Sequence, residues 1–279
     1  MNSNQSPSIK SYGIRTQNMA HDQIDEAVES LRILGYAIVD SGFTQAEQLD
    51  FSQAFDQAKN SAQDKYSQDF NLKALDEHNT IRVPFAAERN LLQVALNPRV
   101  LEINRRLLGE YFVLSQQNGI INPPDSESYN QGFWHRDLPY QHFTSSRPLA
   151  INALYCVDEF TKENGATLVL PASHKEENFP SDQFIQKHSV TAVAPSGSYI
   201  LLDCMTYHSG SKNQTGQARR ALNNVFTMPL LRQQIDLPSF LGPDWSTDAG
   251  IRKILGYEVQ TPRSISEYLG TRAAKVNKN

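Results

Sequence analysis

The run Phe133-Trp134-His135-Arg136-Asp137 carries an imidazole and a carboxylate two residues apart. On an extended strand, residues i and i+2 project from one face, so the two side chains would enter the same space. A third donor would complete one face of an octahedral ion. His208, just after the β-like run 199–202, is the candidate. Two imidazoles and one carboxylate leave three positions open, the arrangement used by non-haem iron(II) oxygenases. Imidazole and carboxylate suit iron(II), whereas thiolates would favour zinc or iron–sulfur clusters. The open positions would take a chelating cosubstrate and O2 side by side. His-x-Asp is common on its own, and the competing reading is a strand-edge pair making ordinary hydrogen bonds.

A chelating 2-oxo acid needs a cation for its far carboxylate. Arg219 lies eleven residues after His208, with Arg220 beside it. A planar guanidinium grips a carboxylate through two parallel bonds, which lysine cannot do. On a strand the two arginines face opposite ways, and parity alone does not choose between them. Gln116, Gln117 and Asn118 interrupt a β-like run, so at least one is expected to point inward. Gln117 or Asn118 is the candidate, against an exposed strand face. Ser209, next to the distal histidine, is a candidate cosubstrate contact, with Gly210 at the other plausible position. Asn223 shares strand parity with Arg219, and Tyr140 follows the metal motif; both are candidate substrate contacts. Packing is the alternative for Tyr140. His142 reads as a surface residue.

Two other chemistries fail on the same residues. His135-Arg136-Asp137-Leu138 matches the start of a protein-kinase catalytic loop, but that loop needs Asn five residues after the Asp, where this chain has His142. A zinc hydrolase would lack a general base at recognisable spacing and leave the arginine without a role.

Positioning these groups falls to a chain of 279 residues, long enough for one large domain or two small ones. The expected organisation is a flexible tail over 1–20 and one domain over 21–279. Within it, 21–110 is mostly helical, about 111–230 is a β core, and 231–279 is a C-terminal extension. Apolar residues at 39% and charged residues at 20% exclude a disordered chain. A net charge of -4 offers no attraction for nucleic acid or an anionic membrane, so a small molecule is the expected partner. Cys156 and Cys204 are too few for a disulfide framework and read as buried thiols. With no membrane-length apolar run and a polar N-terminus, a cytoplasmic location is expected.

Helical spacing of Ile24, Ala27, Val28, Leu31 and Leu34 predicts a helix stopped by Gly35. Thr44 and Glu47 form a capping-box pattern, and Asn97-Pro98 opens a third helix. From Tyr111 the texture changes to short β-prone runs at 111–121, 149–157, 168–170, 190–193, 199–202 and 221–228, separated by turn residues. Such a series predicts a sandwich or barrel. Ser264 is expected to cap a short final helix ending before Gly270.

The segment from about 111 to 228 resembles the phytanoyl-CoA dioxygenase family of iron(II)/2-oxoglutarate oxygenases. Trp134-His135-Arg136-Asp137 is similar to the family's Trp-His-x-Asp. Glu163-Asn164-Gly165 through Pro171-Ala172-Ser173-His174 is similar to its Glu-Asn-Gly…Pro-Gly-Ser-His, with Ala172 where glycine is usual. Gly197 to Asp203 followed by His208-Ser209-Gly210, then Asn213 and Arg219, completes the pattern. The resemblance implies a mainly β fold with surrounding helices: a double-stranded β-helix, or cupin-like jelly roll. It implies Fe(II) held by His135, Asp137 and His208, and 2-oxoglutarate as cosubstrate with its far carboxylate on Arg219. Contact of Gln117 or Asn118 with cosubstrate or substrate is implied only by this resemblance. O2 is the oxidant, and hydroxylation of a C–H bond releases succinate and CO2. Halogenases of the superfamily lack the metal-binding carboxylate, and Asp137 is present here, which favours hydroxylation. Desaturation, epimerisation or cyclisation on the same site, or a non-catalytic cupin-like binding protein, are the alternatives.

Overall fold

The computed structural model of the chain describes residues 9–124, 129–138 and 143–276. Residues 9–20 form no helix or strand. Helix α1 (Gln23–Ile33) starts on Asp22, whose side chain accepts from the Asp25 amide, and buries Ala27, Val28 and Leu31. Gly35 then turns the chain at φ 81°. A Cβ there would lie 2.3 Å from Thr206 Oγ1, so only glycine lets this turn press against the segment leading to His208.

Strand β1 (Tyr36–Asp40) precedes α2 (Gln45–Tyr66), where Thr44 and Glu47 form the expected reciprocal cap. Next come β2 (Thr80–Arg82), α3 (Leu92–Ala95) and α4 (Pro98–Leu108). Asn97 caps α4 by accepting from the Arg99 and Val100 amides, with Pro98 in the first turn. Strands β3 (Val113–Asn122), β4 (Ala150–Cys156) and β5 (Thr167–Val169) lead to α5 (Asp182–His188). After it come β6 (Val190–Ala192), β7 (Ser198–Asp203), β8 (His208–Gly210) and β9 (Arg219–Thr227). The chain closes with α6 (Leu237–Leu241), α7 (Ala249–Ile254) and α8 (Ile265–Val276).

Several elements differ from expectation, among them the short helices α5, α6 and α7, which lie where no helix was predicted. Strands β2 and β8 lie where no strand was predicted, because three residues are too short for a periodic pattern to stand out. Helix α8 starts after Ser264, whose Oγ accepts from the Glu267 amide, but continues through Gly270 to Val276. One glycine costs a helix only about 1 kcal/mol.

The strands form two antiparallel sheets, in the orders β1-β7-β4-β9-β3-β2 and β6-β5-β8. Strand alternation gives the larger sheet two apolar faces. Ile151, Ala153, Tyr155, Tyr199, Leu201, Leu222 and Phe226 pack outward against Leu31, Phe55, Leu91 and Ile103 of the helical layer. Leu154, Cys156, Ile200, Leu202 and Ala221 pack inward with Ala166, Val169 and Ala192 of the smaller sheet. At roughly 1.5–3 kcal/mol per buried large aliphatic side chain, both cores are needed to hold the sheets at a fixed separation. The metal-motif residues lie at one end of the inner space.

Ala172 has φ 62°, a left-handed conformation that costs an L-residue roughly 1–2 kcal/mol. Its amide donates to the Leu34 carbonyl at 2.7 Å, which fixes the turn, and its methyl group is exposed. Replacing it with glycine relieves the strain but loosens the unfolded chain by about 0.4–1 kcal/mol. Ala172→Gly should therefore gain about 0.5–1 kcal/mol, read as a higher urea midpoint at unchanged slope. A lower midpoint would show that the methyl group packs in solution.

Candidate metal and cosubstrate site

The backbone of His135 pairs with that of His208 through two antiparallel hydrogen bonds of 3.0 and 3.1 Å. This bridge joins the metal motif to β8 and brings the imidazole centroids within 4.4 Å. The Asp137 amide donates to the Cys204 carbonyl at 2.9 Å, extending the contact by two residues. His135 and Asp137 share a face, as their spacing predicts. Arg136 between them turns away to stack on Tyr207, 4.0 Å from its centroid, and donates to the Ser173 carbonyl. Ligand atoms of His135, Asp137 and His208 all lie within 4.8 Å of one another.

Hydrogen bonds prepare each candidate ligand. His135 Nδ1 lies 2.7 Å from the Phe133 carbonyl, and His208 Nδ1 lies 3.0 Å from that of Thr206. A carbonyl only accepts, so each Nδ1 carries the proton and each Nε2 presents a lone pair. Burial pushes His208 below the usual imidazole pKa, which keeps it neutral. Asp137 Oδ2 accepts from Asn152 Nδ2 at 2.9 Å, and the Cys204 thiol lies beside the same carboxylate. Oδ1 faces the two Nε2 atoms at 3.6 and 3.9 Å. Such outer partners are worth roughly 10–100-fold in metal affinity. Asn152→Ala should weaken Fe(II) binding by about that factor, measured by competition with a chelating dye.

The segment before His208 carries a second buried carboxyl. Asp203 is 3% exposed and accepts from the Met205 amide at 2.9 Å. Burial pushes it up to about 6, despite the hydrogen bond and the charges of Lys175 and Arg136. A raised folded-state pKa favours the protonated form. The group therefore stabilises the fold at low pH, and that contribution is lost as pH rises from about 4 through 6. Asparagine keeps an acceptor for Met205 and stays neutral. Asp203→Asn should gain stability relative to wild type as pH rises from 4 to 7.5, by roughly 2 kcal/mol at the upper end. A difference that does not vary with pH would show that burial leaves the Asp203 pKa where it lies in the unfolded chain.

Arg219 and Arg220 separate by strand parity. Arg220 faces the helices, bonding Asp158 at 2.8 Å and Asp56 at 2.9 Å. Arg219 faces inward at 2% exposure, its guanidinium stacked 3.9 Å from the Phe160 centroid. Nη2 donates to the Gly165 carbonyl at 3.1 Å, and Nε has no partner. A small cavity of ≈ 30 Å³ is lined by His135, His208, Asn152, Thr167, Arg219 and Asn223, among others. The orphaned Arg219 Nε and Asn152 Oδ1 are buried polar atoms beside the metal ligands. The Arg219 Nε donor fits an anionic group better than an apolar one, whereas Asn152 Oδ1, an acceptor, fits a hydroxyl or a water.

The other sequence candidates divide. Asn223 lines the cavity and accepts from Gln116 Nε2 at 3.3 Å. Gln117 does not face it. Its amide donates to the Leu91 carbonyl at 2.9 Å and to Asn224 at 2.8 Å, on the helix side of the sheet. A bulge between Leu114 and Gln116 reverses the alternation and turns Gln117 outward. Asn118 has inward parity, but its amide is held 3.1 Å from the Gln234 side chain, away from the cavity. Ser209 turns out of the cavity and donates to the Gly132 carbonyl at 2.8 Å, while Gly210 lines it. Tyr140 lies outside the described residues.

Several cavity residues were missed, among them Tyr129, Gln131, Asn152 and Thr167. Tyr129 packs on Gly210 so closely that a Cβ there would lie 2.4 Å from its ring. It lies beside Arg219, and burial pushes the phenol pKa up. Asn152 and Thr167 sit on β4 and β5. The one available signal was Asn152, a polar residue inside an otherwise apolar run. His174 is structural: it is 2% exposed, held against the Arg32 carbonyl at 3.3 Å, and pushed down to about 4 by burial.

The sequence profile of the phytanoyl-CoA dioxygenase family, PhyH, matches residues 32–221. The protein Mb1539 of Mycobacterium bovis is 26% identical over 262 residues, covering 88% of this chain and 91% of its own. The iron/alpha-ketoglutarate-dependent dioxygenase ausO of Aspergillus calidoustus is 28% identical over 172 residues, covering 59% and 57%. Among solved structures, EctD from S. alaskensis with 2-oxoglutarate and 5-hydroxyectoine superposes with a TM-score of 0.64 at 19% identity, over 82% of this chain and 83% of EctD. The non-heme monooxygenase ThoJ gives a TM-score of 0.58 at 18% identity, over 73% and 77%.

Fold and site together define an Fe(II)/2-oxoglutarate-dependent dioxygenase on a cupin-like jelly roll. The chain belongs to the phytanoyl-CoA dioxygenase family. Among the described residues, no helix is long and apolar enough to cross a membrane.

Proposed function

We propose that this dioxygenase hydroxylates an unactivated C–H bond of a small molecule, with His135, Asp137 and His208 as its iron ligands and Arg219 as the anchor of 2-oxoglutarate. The observation that carries the reading is the cluster of three donors within 4.8 Å of one another, two of which, His135 and His208, line a cavity that also holds a buried arginine. Bound iron and 2-oxoglutarate, with O2, supply the oxidation, releasing succinate and CO2.

The chain's own residues do the positioning. The Phe133 and Thr206 carbonyls fix both imidazoles as Nδ1–H tautomers. The Asn152 amide holds one Asp137 oxygen and leaves the other toward the iron site. The Phe160 ring holds the Arg219 guanidinium in plane, and the Tyr129 hydroxyl beside it offers a second donor to the far carboxylate. Asn223, inward on the same strand, is the proposed substrate contact. The apolar walls of Ile120, Leu154 and Leu202 keep water from the reacting centre.

The test is to add Fe(II) and 2-oxoglutarate without oxygen, seek the visible metal-to-ligand charge-transfer band, then admit O2 and measure succinate. A band followed by succinate supports the reading and opens a substrate screen for hydroxylated product. Iron-loaded protein that forms no band and binds no 2-oxoglutarate would sink it.

A further inference from the structure

A second cavity lies on the opposite face of the larger sheet from the metal site. Ile120 of β3 faces the metal cavity, and the next residue, Ile121, lines this one. Its volume is ≈ 410 Å³, within the range of small-molecule sites. One wall is a single face of α2, formed by Lys59, Ala62, Gln63 and Tyr66 at helical spacing. Opposite stand Ile81, Val83 and Ile121 of the sheet, with Ile235 and Phe240 from the C-terminal part. Phe70 and Leu75 form a rim and remain 53% and 58% exposed. Large apolar side chains left so open beside an apolar cavity lose the burial that would stabilise them.

The charges around it are unbalanced in a way that selects a ligand. Glu77 is committed to Arg82 through two hydrogen bonds, one of 2.9 Å from Nε, so this pair is neutral. Arg82 also donates to the Gln234 side chain. Among the described residues, Lys59 has no ion pair and no hydrogen bond, although it is partly buried in the wall. A free ammonium at the edge of an apolar cavity accepts one anionic head and an apolar body.

From this we infer that the α2–β2 cavity is a second binding site, for an apolar monocarboxylic acid whose carboxylate pairs with Lys59. The hydrocarbon body lies along Ala62, Ile81, Ile121 and Phe240. The site needs neither iron nor 2-oxoglutarate, because the sheet separates it from both.

The test is isothermal titration of the full-length protein with dodecanoate, below its micelle concentration and with a metal chelator present. Saturable binding of one dodecanoate per chain is expected, with dodecyltrimethylammonium at least about tenfold weaker. A partly exposed ion pair is worth about 1 kcal/mol, so Lys59→Gln should weaken dodecanoate binding about fivefold to tenfold. Ala62→Phe should abolish it by filling the cavity. Leu75→Glu, at an exposed rim position where folding is not at stake, should weaken it by repulsion. His135→Ala should leave it unchanged. The inference is overturned by the absence of saturable binding or by equal affinity for the cationic amphiphile. Binding that survives both Ala62→Phe and Leu75→Glu, or that disappears in His135→Ala, overturns it as well.

Discussion

Asp137→Asn should cost far more activity than stability. The asparagine carbonyl oxygen takes the place of Oδ2 as acceptor for Asn152 Nδ2, which now holds the carboxylate at 2.9 Å. Its amide nitrogen then turns toward the two Nε2 lone pairs, now faced by Oδ1 at 3.6 and 3.9 Å. A donor replaces an anionic acceptor at the centre of the ligand set, and N–H groups do not ligate a cation. The change removes one ligand and its charge while keeping side-chain volume. Loss of an outer-shell partner costs roughly 10–100-fold in metal affinity, and loss of a ligand should exceed that. We expect succinate formation to fall by more than about a hundredfold and Fe(II) affinity with it, while the melting temperature of the metal-free protein shifts by only a few degrees. Wild-type turnover in Asp137→Asn would remove Asp137 from the ligand set.

Arg219→Ala should act on the cosubstrate instead. Arg219 is buried on the inner face, with Phe160 behind it and Nε lacking a partner. Removing one member of a buried charge pair costs about 3–5 kcal/mol, a factor of roughly a hundred to a few thousand in affinity. The KM for 2-oxoglutarate should rise by about that factor, with Fe(II) affinity changed by no more than a few-fold. Arg219→Lys should recover part of the loss, because the charge stays but the planar two-bond grip does not. Arg220→Ala is the internal control. Its side chain spends its bonds on Asp158, Asp56 and Ser52 at the helix layer, so it should lower stability and leave the KM alone. If the KM rises in Arg220→Ala and not in Arg219→Ala, the anchor has been assigned to the wrong arginine.

These expectations draw on two kinds of information. Local chemistry was legible in the chain itself. Thr44 and Asn97 cap the helices that follow them because their side chains satisfy backbone amides a few residues away. The two-residue spacing of His135 and Asp137 fixes their common face, and the long β-prone runs from 111 to 228 became strands with ends shifted by a residue or two.

Contacts between distant segments were decided by the tertiary structure. His208 reaches His135 only because a three-residue strand pairs with β5 on one side and the metal motif on the other. Nothing in three residues announces such a pairing. Gln117 shows how one irregularity defeats a pattern. Counting by twos from the helix-facing Leu114 puts Gln116 outward and Gln117 inward, and the bulge between Leu114 and Gln116 reverses both. Arg219 and Arg220 are alike as letters, and their roles separate only when β9 is paired between β3 and β4. Asn152, Thr167 and Tyr129 come from three separate segments and meet because the two sheets close over one space. A side chain's local backbone preference is written in its neighbours, whereas the face it presents and the groups it meets depend on strand register, which the whole fold sets.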